Sequence, residues 1–158
     1  MNTKSKRAFW WSFASMGIGL LTPSLIIFCL EIVVGGIEPL TSIAGIFRRQ
    51  FAEGHNLFLI AVFGLIPFAA HSIVCFVAAR HLNPARLACV AIGGLVGILG
   101  LMVPGHISVW YPLYGPGRAS STAVIAFFFI PIYCSVTLSV GLFIVWIISL
   151  LPYFRRNG

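Results

Sequence analysis

Residues 57 to 79 read LFLIAVFGLIPFAAHSIVCFVAA, from Leu57 to Ala79, without a single Asp, Glu, Lys or Arg. Wound as a helix, roughly 20 such residues cross the ~30 Å hydrocarbon core of a bilayer. A helix that is apolar all round has no exposed face to offer water, so this stretch reads as a membrane span. Three more charge-free stretches accompany it: Ala8 to Leu30, Leu87 to Val103, and Thr122 to about Leu150. The expected fold is therefore an all-α membrane protein, a single antiparallel bundle of four transmembrane helices over residues 1–158. Composition points the same way, because 158 residues that are 59% hydrophobic and 8% charged carry more apolar surface than a soluble domain of that length can bury. The third span is short, and the fourth would be roughly 40 Å long as a helix, so tilt or a kink at Pro131 is expected.

Orientation follows from where the cations fall. Lys4, Lys6, Arg7, Arg80, Arg86, Arg155 and Arg156 lie on one side of the predicted spans, and Arg48, Arg49 and Arg118 on the other. Cytoplasmic flanks collect Lys and Arg, so seven against three places both termini in the cytoplasm. The first span follows Lys4, Lys6 and Arg7 like a secretory signal, but it is too long for a signal core and lacks a small-residue cleavage site. It reads as a retained signal anchor. The net charge of +7 is thereby explained as topology, and nucleic acid is not an expected partner. Glu31, Glu38 and Glu53, the only acids, fall at or beyond the outer interface.

The four cysteines, Cys29, Cys75, Cys89 and Cys134, are spread one to each span, which argues for packing roles and against a disulfide framework or a zinc site. Between the second and third spans, Arg80 to Arg86 forms a tight turn in which Asn83-Pro84 stops the helix and leaves those spans antiparallel neighbours. The first outer loop contains a short interfacial helix: Thr41-Ser42 can cap it, Gly54 can end it, and Ile43, Ile46, Phe47 and Phe51 follow helical spacing opposite Arg48, Arg49, Gln50 and Glu53. The second outer loop, from Gly105 to Arg118, is expected to turn at its prolines and glycines and to lie against the headgroups through Trp110, Tyr111 and Tyr114. Ser120, Ser121 and Thr122 offer caps for the fourth span. Small residues mark close helix approach, as in Gly93, Gly97 and Gly100, Ser15 with Gly19, and Ser135 with Ser139. Dimerisation through the glycine strip is open at this point. Pro23, Pro67 and Pro131 fall inside spans, where each removes a backbone donor.

Two intramembrane polar residues stand out, since ionisable groups in a span are costly. His71 is expected to hydrogen-bond to neighbouring helices, and Glu31 to be an interfacial charge solvated by headgroups and water. Paired haem ligands are not expected, because His71 and His81 have no counterparts at matching depth. His55 and His106 both fall near the outer surface, and a single outer-side haem or metal would have to use them with a glutamate; neither metal nor cofactor is expected. There is no phosphate-binding glycine loop, no His-Glu-x-x-His and no nucleophile elbow, so no enzymatic activity is expected. Binding chemistry concentrates instead on the outward side. Arg48, Arg49, Glu53, His55, His106, Trp110, Tyr111, Tyr114 and Arg118 make either a protein-contact surface or a membrane-interface belt.

With outer loops reading Arg48-Arg49-Gln50-Phe51-Ala52-Glu53 and Trp110-Tyr111-Pro112-Leu113-Tyr114-Gly115-Pro116-Gly117-Arg118, the chain resembles the small four-span inner-membrane immunity proteins paired with colicin M-like, lipid II-cleaving pyocins. The resemblance spans the whole chain and is architectural: size, four spans, cytoplasmic ends and two outer loops. It implies a bacterial inner-membrane protein that meets a periplasm-acting bacteriocin at the outer leaflet without chemistry. The absence of any Asn-x-Ser/Thr acceptor fits a bacterial source. Two other classes remain open: a small transporter or lipid-handling protein working through Glu31 or His71, and a structural subunit of a membrane complex.

Overall fold

In the computed structural model, which describes residues 3–51, 56–115 and 123–149, the charge-free stretches are helices. They run α1 Thr3–Val33, α2 Pro39–Arg49, α3 Leu57–His81, α4 Pro84–Tyr114 and α5 Ala123–Ser149. Four of them, α1, α3, α4 and α5, are long and apolar enough to cross a membrane. Their outer surfaces carry large apolar side chains such as Phe13, Leu21, Ile73, Val96, Phe143 and Trp146, which water would penalise and a bilayer would not.

The two most extensive helix contacts pair α1 with α3 and α4 with α5; α3 also touches α4 and α5, and α2 rests on α1. The tight α3–α4 connection therefore joins neighbours, but not the closest ones. Asn83 caps α4, its Oδ1 accepting from the Arg86 N–H at 2.9 Å, and Pro84 occupies the first helical position where no donor is needed. A central core of Phe68, Leu95, Ile98, Met102, Ile130, Cys134 and Leu138 ties α3, α4 and α5 together.

Small residues set the α4–α5 spacing. A Cβ on Gly97 would stand 2.5 Å from the Thr137 carbonyl oxygen, and one on Gly141 would stand 2.5 Å from that of Gly93. One on Gly93 would collide with Val145. Gly100, by contrast, faces open space. The strip is thus taken up inside the chain by α5 at Gly93 and Gly97, and Gly100 does not belong to it. Ser135 and Ser139 are not a packing pair either, since each hydroxyl donates to a carbonyl of its own helix, Pro131 and Ser135 respectively. Ser15 and Gly19 do pack, against α3 at His71 and Phe68.

The largest departure from the sequence reading lies in α4. A span ending at Val103 and a turning loop from Gly105 were expected, yet the helix continues unbroken through Pro104 and Pro112 to Tyr114. Each proline removes one N–H, and the buried stripe Ile98, Met102, His106, Trp110 runs past Pro104 at four-residue steps and ends one turn short of Tyr114, which is held by Arg49 and Glu31. Packing along that stripe outweighs the turn preference of the proline and glycine residues.

Candidate functional site

Past α1, Gly36 adopts φ +63°, a left-handed conformation that glycine takes without a side-chain clash, and the chain reverses so that α2 lies against the end of α1. The helix begins at Pro39, two residues before the expected Thr41-Ser42 cap, with Glu38 as the N-cap residue making no side-chain cap bond. The C-cap is Gln50. Gly54, expected to end the helix, lies outside the described residues.

Ser42 is free of capping duty because it has another partner. Its Oγ donates to Glu31 Oε2 at 2.5 Å, while Arg49 forms an ion pair with Glu31 Oε1. Tyr114, at the end of α4, donates its hydroxyl proton to the same Oε1 at 3.2 Å and accepts from Arg49 Nη1 at 3.0 Å. Arg49 Nε donates to the Gly45 carbonyl at 3.2 Å, which fixes the guanidinium on its own helix. One carboxylate thereby ties α1, α2 and α4 into a knot.

Glu31 is 2% exposed, so it is not the headgroup-solvated charge expected from its position. A carboxylate withdrawn from water must be paired and hydrogen-bonded, and Ser42, Arg49 and Tyr114 supply that set. Burial disfavours the Arg49 charge, but hydrogen bonds to Glu31 and Tyr114 outweigh it and hold the guanidinium above its ordinary pKa. Gln50 adds a weaker tie, Nε2 donating to Ser24 Oγ at 3.4 Å.

The face that α2 turns outward is apolar. Ser42, Ile46 and Arg49 point toward the bundle at i, i+4 and i+7, whereas Leu40, Ile43 and Phe47 are exposed, with Phe51 beyond the helix. A soluble helix would present the reverse. The arrangement suits a helix whose apolar side meets lipid and whose polar side is anchored to a buried acid.

The nine outward residues read from the sequence separate into groups. Arg48 and Tyr111 are exposed. Arg49 and Tyr114 are partly buried in the knot. His106 and Trp110 are in the core, 2% and 3% exposed, and pack on Phe127 with ring centroids at 5.7 and 5.2 Å. They face the bundle because α4 stays helical, which overturns the reading of both as outer-surface groups. Their Nδ1 and Nε1 atoms have no hydrogen-bond partner among the described residues. Glu53, His55 and Arg118, and the capping serines Ser120 and Ser121 with Thr122, lie outside the described residues. A cavity of about 260 Å³ opens beside the knot, lined by Arg49, Leu57, Trp110, Leu113 and Tyr114.

Deeper in the bundle, His71 is fully buried and its Nδ1 lies 2.9 Å from Ser15 Oγ. Cys75 Sγ sits 3.6 Å from Nε2 one turn along α3. Gly94 makes room on the α4 side, where a Cβ would strike the imidazole. This is the interhelical packing role expected of His71, realised as a joint between α1, α3 and α4. Among the described residues no three His, Cys, Asp or Glu side chains cluster as metal ligands would.

The residue whose importance sequence reading missed is Glu31 as an anchor. The available signal was positional: Ser42, Ile46 and Arg49 share one face of α2, and Glu31 is one of the few acids near enough in sequence to pair with an arginine on that face. Comparison of the chain with protein-family models, with curated proteins and with solved structures gives no match in any of the three.

Proposed function

We propose that the chain is an immunity protein of the bacterial inner membrane, with both termini cytoplasmic, that binds or occludes a periplasm-acting, colicin M-like bacteriocin at the outer leaflet. The observation that carries this reading is the outward end held rigid by Glu31, Ser42, Arg49 and Tyr114. Around it Phe47, Arg48, Phe51 and Tyr111 stand exposed. Aromatic and arginine side chains on a preorganised support make efficient contact residues, because little conformational freedom is left to lose on binding. The charge count across the spans supports the placement of this end outside.

The test is protection. Expressed in a strain sensitive to colicin M-like bacteriocins, the chain should preserve viability, and Arg48→Ala with Tyr111→Ala should reduce protection at equal membrane abundance. Full protection by the double variant would remove these residues from the contact surface, and no protection against any such toxin would sink the reading.

A lipid-handling or transport role is the second reading, favoured by the cavity between Arg49, Trp110 and Tyr114. It requires cargo flux that responds to Glu31→Gln in a folded protein, and an immunity protein predicts no such flux.

A further inference from the structure

The side chains described at the end of the bundle opposite Glu31 include several cations. There the start of α1, the end of α3 and the α3–α4 connection surround a cavity of about 400 Å³. Arg7 enters it from α1, His81 from the end of α3, and Asn83 and Arg86 from the start of α4, over an apolar floor that includes Ala79 and Leu87. Among the described residues no side-chain carboxylate lies at this end, since Glu31 is in the last turn of α1 and Glu38 immediately precedes α2. The N-terminus of α4 adds its partial positive charge to the two guanidinium groups. Basic cavities between transmembrane helices at the more cationic end of a bundle are suited to anionic lipid headgroups.

The surroundings of Arg7 favour a lipid over a soluble anion. Within two turns of it along α1, Phe9, Trp10 and Phe13 project outward, 48%, 64% and 62% exposed. Their rings contact one another with centroids 5.9 to 6.2 Å apart. Such an aromatic patch suits the boundary between headgroup and acyl chain, so a phosphate held at Arg7 would have its tails against an apolar wall. Below, Ala8, Ala79 and Leu87 form a closed cluster with Trp11 against it, which gives the cavity a firm base. The volume exceeds what a lone phosphate needs and leaves space for a glycerol backbone.

We infer that this cavity binds the phosphate ester of an anionic phospholipid headgroup, with Arg7 and Arg86 as its cationic ligands and the start of α4 beside it. The site is independent of the proposed immunity function and would serve to seat the bundle in its leaflet.

The experiment uses the full chain purified in a neutral detergent, with thermal unfolding followed as dioleoyl phosphatidylglycerol, dioleoyl phosphatidylcholine or glycerol 3-phosphate is added. Phosphatidylglycerol is expected to raise the midpoint in a saturable way and phosphatidylcholine to leave it unchanged. Replacing Arg7→Gln and Arg86→Gln together should weaken the phosphatidylglycerol response about 25-fold, roughly fivefold for each cation lost near the surface. Arg48→Gln, at the other end, should leave it intact. Should the double variant fail to fold, Arg7→Gln alone changes only an exposed side chain in the first turns of α1 and should still weaken the response about fivefold. Equal stabilisation by both lipids, or an undiminished phosphatidylglycerol response in the folded variants, would overturn the site. A shift produced by glycerol 3-phosphate as strongly as by the lipid would overturn the lipid source and assign the cavity to a soluble phosphate ester.

Discussion

Glu31 can remain buried at the end of a membrane helix because Ser42, Arg49 and Tyr114 converge on its two oxygens, so the three donors are not interchangeable with solvent. Arg49→Met leaves that carboxylate unpaired and should lower stability by about 3 kcal/mol, near the lower end for a broken buried pair because Arg49 itself is about one-third exposed. Arg49→Met combined with Glu31→Met removes both charges and should recover most of the loss, read as the unfolding midpoint in detergent. Arg48→Met, one residue away and exposed, should change little. Inside the bundle, Ser15→Ala deprives His71 of its hydroxyl partner and should cost about 0.5 to 2 kcal/mol, the range for interhelical hydrogen bonds in membranes. Ser139→Ala, whose exposed hydroxyl bonds only its own helix, should cost less in the same measurement. Adjacent arginines with opposite roles could not be told apart by composition. Which of them faces the bundle depends on the phase of α2, and Ser42, Ile46 and Arg49 fix that phase once the helix is known to start at Pro39.

For the helices, length and charge-free composition were enough to place α1, α3 and α5 within a few residues of their ends. α4 was misread past Val103 because Pro104, Gly105, Pro112 and Gly115 carry strong turn preferences in water. The four-residue stripe from Ile98 to Trp110 was equally visible and carried the correct answer, since a buried stripe can sustain a helix across single missing donors. That misreading also moved His106 and Trp110 from the core to the surface. Glycine spacing was legible for Gly93 and Gly97 but could not reveal their partner, Gly141 on α5. The consequence is specific: Gly97→Ala forces a methyl against the Thr137 carbonyl and should destabilise by about 1 to 3 kcal/mol, the usual range for overpacking. Gly100→Ala, with nothing nearby to meet it, should be neutral or stabilising. Equal effects of the two substitutions on the unfolding midpoint would mean that α4 and α5 do not meet at Gly97.

At the scale of the whole molecule the bundle has two unlike ends. One gathers Arg7, His81 and Arg86 around a cavity, and the other holds Glu31 inside a knot with α2 laid over it. Both the contact surface proposed for a toxin and the lipid site proposed at the basic end depend on which end faces the cytoplasm. Single-cysteine variants made after replacing the four native cysteines resolve this directly, using a membrane-impermeant maleimide on intact cells. Arg48→Cys, exposed on α2, should be labelled from outside, and Ala85→Cys, exposed in the first turn of α4, should react only after the inner membrane is opened. Labelling of Ala85→Cys in intact cells with protection of Arg48→Cys would turn the molecule over and contradict the account.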